Sequence, residues 1–266
     1  MRFFKYEGIG NDFVLIDGMA GNVRIDGALC ERMCDRHFGI GADGVLYVLP
    51  GQNGSDVTMR IMNSDGTEAK MCGNGIRCVA KYAYDHGLVK KKEFTINTLV
   101  GNLTAKVSVT DGKVDTVTIG MGKPWIDDSD TVLDIDGLSV KGRKVSMGNP
   151  HFVTFDTLED KDTDKLGPIL ESHPEFPDRT NVEFASVKEG KIYIRVYERG
   201  AAWTLACGTG ASATTVSAAV QGFVPFDKAV DVRLPGGWLK ITVSGDMSGV
   251  TMEGPATFVF EGTYEE

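Results

Sequence analysis

The chain has 266 residues, of which 42% are hydrophobic, and it carries a formal net charge of −9 and five cysteines. The acidic balance argues against non-specific nucleic-acid binding, which needs basic surface, and no apolar run approaches the roughly 18 residues of a bilayer-spanning helix. Residues 1–7 lack the apolar stretch of a signal peptide, and an odd cysteine count does not favour a disulfide framework. We therefore expect a reduced, cytoplasmic protein with one large or two medium domains and no membrane partner.

The first half of the chain reads as short strands around two helices. A strand, a polar kink at Gly10-Asn11-Asp12 and a second strand come first, and apolar residues at helical spacing then indicate a helix over 28–37. A glycine-rich loop over 39–44 follows. After Cys72, apolar residues fall on one face of a helix that stops at Gly87, a typical left-handed cap position. The remaining predicted strands of this half are 45–49, 57–63, 94–97, 103–109 and 117–119.

The second half repeats this order. Residues 148–153 resemble the kink and strand near the N-terminus, and the charged stretches 159–164 and 171–178 predict a solvated helix and loop. The segment 211–221 consists mostly of Ala, Ser, Thr and Val on every side, a composition that predicts a buried helix. Strands are predicted at 230–234, 239–243 and 250–252.

One short motif occurs twice, as Cys72-Gly73-Asn74-Gly75 and as Cys207-Gly208-Thr209-Gly210. The spacing of 207 − 72 = 135 holds without a gap well outside the motif. It matches Arg60 with Arg195, Ala83 with Ala218, Gly87 with Gly222, Val89 with Val224, Leu99 with Leu234 and Gly101 with Gly236. Such a register indicates an internal duplication.

The duplication predicts an α+β fold with two pseudo-symmetric domains, each a mostly antiparallel sheet around a central helix. We place the first domain at residues 1–116 and the second at 117–266, and leave open whether the last strand returns to the first domain. The active site is expected in the cleft between the two domains.

Each copy of the motif places a cysteine at the start of a predicted helix. The unpaired N–H groups and the helix dipole favour negative charge there, so we expect the thiol pKa to be lowered. The same N–H groups and the flanking glycines can hold a carboxylate. Cys30, Cys34 and Cys78 have no such glycine loop and are expected to be small buried hydrophobes.

Three chemistries compete for these cysteines. A zinc site is disfavoured because the cysteines lack close ligand pairs and the four histidines are scattered. A single cysteine nucleophile with His151 as its base would leave the second motif without a role. Two equivalent thiols fit a reaction in which one removes a proton from a carbon and the other returns one on the opposite face, as in a two-base racemase or epimerase.

At these residues the chain resembles the diaminopimelate epimerase family over nearly its whole length. The motifs that carry the resemblance are 8–13 (GIGNDF), 39–44 (GIGADG), 63–66 (NSDG), 71–77 (MCGNGIR), 148–151 (GNPH), 181–184 (NVEF), 198–200 (ERG) and 206–210 (ACGTG). The resemblance implies two pseudo-symmetric halves and epimerisation of LL- to meso-diaminopimelate, a step of lysine and peptidoglycan-precursor synthesis. It also implies that the reaction uses no cofactor, neither pyridoxal phosphate nor a metal.

The resemblance further implies roles for individual residues. Cys72 and Cys207 would be the acid/base pair, with His151 and Glu198 tuning the thiols. The α-carboxylate of the substrate would bind at the two helix starts. Substrate contacts would come from Asn11, Asn63, Gly73, Asn74, Asn149, Asn181, Glu198, Arg199, Gly208 and Thr209.

One segment departs from the family pattern. After Glu198-Arg199-Gly200 the family usually carries Gly-Glu-Thr, whereas this chain has Ala202-Trp203-Thr204. A large aromatic close to Cys207 in place of an acidic residue leaves open whether the substrate differs. The sequence therefore leaves two alternatives, a racemase of another amino acid on the same fold and a non-catalytic binding relative. Besides the amino-acid substrate, the expected partner is a second copy of the chain in a homodimer.

Overall fold

A computed structural model describes residues 1–21 and 23–265 of the chain. These residues form two compact units. The first unit comprises Met1–Gly120 together with the C-terminal segment from Glu253 onward, and the second comprises Met121–Met252. None of the helices found in the described residues has the length and apolarity needed to span a bilayer.

The first unit has two helices and a set of short strands. Its helices are α1 (Gly27–Cys34) and α2 (Gly73–Asp85). Its strands before the division are β1 (Arg2–Gly8), β2 (Asn11–Asp17), β3 (Gly44–Pro50), β4 (Val57–Asn63), β5 (Glu68–Ala69), β6 (Glu93–Thr98), β7 (Gly101–Thr110) and β8 (Lys113–Gly122).

The second unit also has two helices, α3 (Asp160–Glu171) and α4 (Gly208–Val220). Its strands are β9 (Trp125–Ile126), β10 (Thr131–Ile135), β11 (Leu138–Ser146), β12 (Pro150–Thr154), β13 (Asn181–Lys188), β14 (Lys191–Glu198), β15 (Ala202–Thr204), β16 (Val230–Leu234) and β17 (Gly237–Val243). Two further strands follow, β18 (Val250–Pro255) and β19 (Thr257–Thr263).

The strand pairings repeat from one unit to the other. In the first unit β2 pairs with β3 and β4 pairs with β6 in parallel, while β1–β2, β3–β4 and β6–β7 are antiparallel. In the second unit β12–β13 and β14–β16 are parallel, while β11–β12, β13–β14 and β16–β17 are antiparallel. The helices α2 and α4 both have 13 residues and begin 135 residues apart. The predicted α+β fold with a duplicated, mostly antiparallel sheet and one central helix per unit is confirmed.

The two central helices are buried by different means. In α2 the apolar residues occupy one face, as their spacing predicts. In α4 nearly every residue is buried, including hydroxyl groups that would be costly without partners. Ser212, Thr214 and Thr215 each donate to the backbone carbonyl four residues earlier, at 2.8–2.9 Å. Small side chains with internally satisfied hydroxyls let this helix lie against strands along its whole length.

The division between the units differs from the boundary expected at residue 117. Strand β8 runs through that position, so the chain leaves the first unit only after Gly120. The C-terminal segment belongs to the first unit because β19 pairs with β1 in antiparallel register. In addition, the buried Arg77 of α2 donates from Nε to the carbonyl of Pro255 at 3.1 Å. The last strand, whose domain the sequence left open, therefore belongs to the first unit.

Two helices differ in detail from their sequence patterns. Helix α1 ends at Cys34 instead of residue 37, because the Asp35 carboxylate accepts the backbone N–H groups of His37 and Phe38 and turns the chain. The charged stretch from 159 forms α3, but this helix is not simply solvated. It buries Leu166 and Leu170 in a core that also contains Phe152 and Val182.

Candidate active site

Cys72 is the N-cap residue of α2. Its backbone is extended (φ −141°, ψ 121°), which turns the side chain back over the first turn of the helix. The Gly75 N–H donates to Sγ at 3.4 Å. The thiol in turn donates to Oδ1 of Asn11, 3.7 Å away at the start of β2. Cys72 therefore lies between a backbone donor of the helix and an amide oxygen acceptor.

The orientation of the Asn11 amide is set by charged groups behind it. Its Nδ2 donates to Oδ2 of Asp43 at 3.0 Å. The reverse orientation of the amide would place its oxygen against the carboxylate, and two acceptors cannot form a hydrogen bond. Asp43 also accepts from Arg36, which bridges it to Asp12, and the buried Lys5 donates to Asp12 from the other side. Burial alone would raise the pKa of Asp12, but the hydrogen bonds from Arg36 and Lys5 lower it, so this carboxyl group stays ionised.

The other predicted residues of this unit divide into two groups. Gly73 and Asn74 lie buried in the first turn of α2, directly after Cys72. Asn63 ends β4, and its Nδ2 donates to Oγ1 of Thr67 at 3.0 Å within the following turn. Asn11, Cys72, Gly73 and Asn74 therefore form one group, whereas Asn63 belongs to a separate turn.

Cys207 is the N-cap of α4 and repeats the geometry of Cys72. Its backbone is extended (φ −126°, ψ 105°), and the Gly210 N–H donates to Sγ at 3.4 Å. Gly208 and Thr209 form the start of the helix. The hydroxyl of Thr209 lies 3.6 Å from Sγ, so Cys207 has a hydroxyl neighbour where Cys72 has an amide oxygen.

A chain of hydrogen bonds leads from the Thr209 hydroxyl into the interior of the second unit. Asn149 donates from Nδ2 to Oγ1 of Thr209 at 3.3 Å, and its Oδ1 lies 3.1 Å from Nε2 of His151. Nδ1 of His151 lies 2.6 Å from Oε1 of Glu183, and both of these side chains are fully buried. Asn149 and His151 thus come together with Cys207 and Thr209 in one hydrogen-bonded group.

The electrostatics of Cys207 differ from the expectation for a helix start. Burial raises the thiol pKa well above its ordinary value, and the charges of Glu198 and Glu183 raise it further. The hydrogen bonds from Thr209 and Gly210 act in the opposite direction but are the smaller influences. The expectation of a lowered pKa was therefore wrong for Cys207, because desolvation and two carboxyl groups outweigh the helix terminus.

Glu198, Asn181 and Arg199 lie near the end of β14. Glu198 is half-buried, and its Oε1 accepts from the hydroxyl of Thr204 at 2.5 Å. Asn181 accepts from the backbone N–H of Arg199 at 3.0 Å and donates to the carbonyl of Pro150 at 2.8 Å, so its amide braces two segments. The Arg199 guanidinium is exposed and donates to the carbonyl of Asp178 at 3.0 Å.

Trp203 points away from the face of the sheet that carries Glu183. On β15 it pairs opposite Tyr197, and the two rings meet edge to face with centroids 5.3 Å apart. Its other neighbours are Phe184, at 5.8 Å between ring centroids, and the guanidinium of Arg195, 4.3 Å above the indole. Trp203 thus packs on the α3 core, while the next residue, Thr204, reaches Glu198.

Sequence reasoning gave no role to two carboxyl groups that support these residues. Asp43 occurs in the glycine-rich loop before β3, and Glu183 lies in a strand whose neighbours Val182 and Phe184 are apolar. Burying a glutamate in a strand costs free energy unless it has partners. A glutamate between two apolar residues of a predicted strand was therefore the sequence feature that could have indicated a role for Glu183. Cys30, Cys34 and Cys78 are buried free thiols, as predicted.

Comparisons with known proteins agree with the resemblance. The profile of the family described as diaminopimelate epimerase matches residues 3–126 and 143–259. The diaminopimelate epimerase of Synechocystis sp. is 44% identical over 283 residues, covering 100% of this chain and 99% of that protein. Diaminopimelate epimerase 1 of Nostoc sp. is 46% identical over 281 residues, covering 98% of this chain and 99% of that protein.

Solved structures of other proteins share the fold at much lower identity. The Bacillus anthracis phenazine biosynthesis protein of the PhzF family superposes with a TM-score of 0.76 at 16% identity, covering 100% of this chain and 99% of that one. At this identity the likeness concerns the fold alone.

Proposed function

The chain belongs to the diaminopimelate epimerase family, and from this premise we propose that Cys72 and Cys207 are the acid/base pair of its reaction. The reaction is the conversion of LL-diaminopimelate to meso-diaminopimelate, a step towards lysine, and it proceeds without pyridoxal phosphate. One thiolate removes the α-proton, and the other thiol donates its proton to the opposite face of the same carbon. The thiol and the thiolate have then exchanged places, so the enzyme is ready for the reverse reaction.

The observation that carries this proposal is the repeated cysteine N-cap. Each thiol accepts a backbone N–H at the third residue of its helix, and each helix start offers further N–H groups to an anion. The substrate α-carboxylate would be held by these groups at Gly73-Asn74 and Gly208-Thr209. Negative charge that develops on the carboxylate as the proton leaves would be stabilised there.

The other residues have supporting roles in this proposal. Asn11 and Asn149 would contact the substrate beside the two thiols, and Asn63 and Asn181 would bind further along it. Glu198 and Arg199 would contact the substrate at the end of β14, with Arg199 pairing with a carboxylate. His151 and Glu198 would tune the thiols.

The test is conversion of LL-diaminopimelate by single cysteine variants, followed by chromatographic separation of the stereoisomers. We expect Cys72→Ala and Cys207→Ala each to lose at least about 1,000-fold in kcat, since neither thiol can replace the other. Cys34→Ala removes a buried thiol of α1 and serves as the control, with activity retained. Activity retained by either site variant would contradict the proposal.

We also propose that the chain forms a homodimer through β19. Three consecutive apolar residues of this strand, Phe258, Val259 and Phe260, are 44–51% exposed, and they lie on both faces of the strand. Exposed runs of this kind usually mark an interface, because leaving them in water is unfavourable. None of the five cysteines, all of which lie in the described residues, forms a disulfide, which supports the further proposal of a reducing, cytoplasmic setting.

Light scattering coupled to size-exclusion chromatography tests the dimer. The wild-type protein is expected at twice the mass of one chain, and Val259→Glu at the mass of one. Val132→Glu changes an equally exposed valine of β10 and should leave the mass unchanged. A wild-type monomer, or a Val259→Glu dimer, would overturn this assignment.

A further inference from the structure

We propose that Glu183 is a positioning residue that fixes the direction of the hydrogen bonds reaching Cys207. The inference rests on the proposed function in one respect only, namely that Cys207 is a reacting thiol. Glu183 does not touch Cys207 through a hydrogen bond of its own. It acts through His151, Asn149 and Thr209.

Glu183 has an unusual environment for a carboxyl group. It is fully buried on β13, and among the described residues its Oε2 has no hydrogen-bond partner. It lies against the first turn of α4, where a Cβ on Gly210 would come within 2.8 Å of Oε1. Burial raises the pKa of Glu183, against the opposing influence of His151. A buried carboxyl group with one oxygen unpaired is expensive, so its one strong contact is expected to have a function.

The Glu183 contact and the Asn149 contact together decide where His151 carries its hydrogens. Nδ1 faces the Glu183 carboxyl at 2.6 Å, and Nε2 faces the Asn149 amide at 3.1 Å. If Glu183 is ionised, Nδ1 carries a hydrogen, and Nε2 carries one as well because it faces the acceptor Oδ1 of Asn149, so the pair is a carboxylate and an imidazolium. If Glu183 is protonated, it donates to Nδ1 and the neutral ring keeps its hydrogen on Nε2. In both states Nε2 is a donor towards Asn149.

The donor position of Nε2 also sets the direction of the hydrogen bonds between His151 and the Cys207 thiol. Asn149 accepts from Nε2–H through Oδ1, which turns its NH2 group towards Thr209. The Thr209 oxygen accepts that hydrogen bond, and its own hydrogen remains available for the sulfur 3.6 Å away. A hydroxyl that donates to sulfur favours the thiolate over the thiol. Through these hydrogen bonds the carboxyl group supports the charged form of Cys207, whereas its own negative charge, when present and not balanced by an imidazolium, acts in the opposite direction.

Three accounts of Glu183 make different predictions. The charged or titratable groups that act on Cys207 from the strands packed against α4 are Glu183 and Glu198, together with His151 bonded to Glu183. If Glu183 acted only as a nearby negative charge, its removal would lower the thiol pKa. If it only filled space, its removal would not change that pKa. If it directs the hydrogen bonds, its removal raises the thiol pKa, because the amide of Asn149 can then reverse.

The experiment is the pH dependence of alkylation by iodoacetamide, measured for each cysteine separately by peptide mass spectrometry. In Glu183→Leu, which leaves no group to hydrogen-bond Nδ1 of His151, we expect the apparent pKa of Cys207 to rise by about one unit, while the profile of Cys72 stays unchanged. For the epimerase reaction we expect kcat to fall about tenfold and KM to change less than about threefold. Glu171→Gln removes another buried carboxyl group of the same unit and should leave the Cys207 profile unchanged. An unchanged or lowered Cys207 pKa in Glu183→Leu would overturn the proposal.

A second pair of variants covers the case in which Glu183→Leu does not fold. Thr209→Val removes the last donor of the chain at a half-buried position, and Thr209→Ser keeps it. The valine variant should raise the Cys207 pKa and the serine variant should restore it. Equal profiles for both would contradict the inference. Full activity of Cys207→Ala would refute the proposed acid/base role, whereas the alkylation profiles would still report on the hydrogen-bond chain.

Discussion

The two cysteines have the same backbone position but different neighbours. Cys72 donates to an amide oxygen that Asp43 holds in place, whereas Cys207 lies beside a hydroxyl supported by Asn149. A helix start favours negative charge by about 0.3–1 kcal/mol, while full burial can move a pKa by several units, so burial decides the state of Cys207. Burial therefore favours the protonated form of Cys207, although Thr209 and Gly210 already contact its sulfur.

Arg199 gives a prediction at the scale of one side chain. Arg199→Lys should lower kcat/KM about 100-fold, or about 2.7 kcal/mol, because an ammonium group cannot bind a carboxylate through two parallel hydrogen bonds. Steady-state kinetics with LL-diaminopimelate checks this. Arg233→Lys, whose guanidinium lies over Trp238 at 5.5 Å, is the matched control and should retain wild-type kinetics. Unchanged kinetics for Arg199→Lys would remove that residue from the site.

Ala202 gives a prediction about backbone strain. Its φ of +58° lies in the left-handed region, where the family usually has glycine. Ala202→Gly should raise the free energy of unfolding by about 0.5–1 kcal/mol, since the relief of strain exceeds the added flexibility of the unfolded chain. Urea denaturation measures it. Ala201→Gly, next to it but without a positive φ, should be neutral or destabilising, and the reverse order of the two variants would contradict the argument.

The sequence was a good guide to some residues of the site and a poor guide to others. The cysteines, Asn149 and Thr209 were identifiable because the duplicated motif and the family motifs mark them. The supporting role of Glu183 was not, because it depends on the register between β12 and β13, which brings His151 opposite Asn181. The raised pKa of Cys207 could not be predicted from the sequence either, since it arises from burial by residues that are distant in sequence.

Strand β15 carries the residues that depart from the motif expected from the family resemblance. Trp203 replaces an acidic residue, yet it faces the α3 core and not Glu183. Trp203→Glu should therefore lower the free energy of unfolding by about 2–3 kcal/mol through lost aromatic packing. KM for LL-diaminopimelate should change less than about threefold. A stable variant with a large change in KM would instead place Trp203 in the substrate pocket.

Element boundaries were predictable where local signals set them and not elsewhere. The cap at Gly87, with a φ of +74°, ends α2 as its pattern indicates. Helix α1 ends early because an aspartate competes for the backbone N–H groups, a contact that periodicity does not reveal. The return of β19 to β1 joins residues 250 to 261 positions apart, from Glu7 with Thr257 to Arg2 with Thr263, which no local pattern can specify.

At the scale of the whole molecule, the buried thiols predict sensitivity to alkali. Burial raises the pKa of Cys30, Cys78 and Cys207 and raises that of Cys34 to about 12. In the unfolded chain these groups ionise near 8.5, so above that pH the folded state holds more protons than the unfolded state. The free energy of unfolding should then fall by about 1.4 kcal/mol per pH unit for each such thiol.

Urea denaturation at a series of pH values from 7 to 10 measures this slope. Below about pH 8 the contribution of the thiols is fully present, and it is lost as the pH rises towards their folded values. Cys34→Ala should reduce the slope by the share of one thiol. A stability that does not change between pH 8 and 10 would show that these thiols ionise as readily in the folded protein as in the unfolded chain.

The central claim is that two separate thiols carry the proton, and isotope incorporation from D2O tests it most directly. The donor thiol has already exchanged with solvent, so meso-diaminopimelate from the first turnovers should carry deuterium at the inverted carbon. Recovered LL-diaminopimelate should remain largely unlabelled, because the accepting thiol can return the proton that it captured. The same pattern should hold from the meso isomer, with Cys72 and Cys207 exchanging roles. Mass spectrometry of early product decides the question, and substantial retention of the original hydrogen would contradict the two-base mechanism.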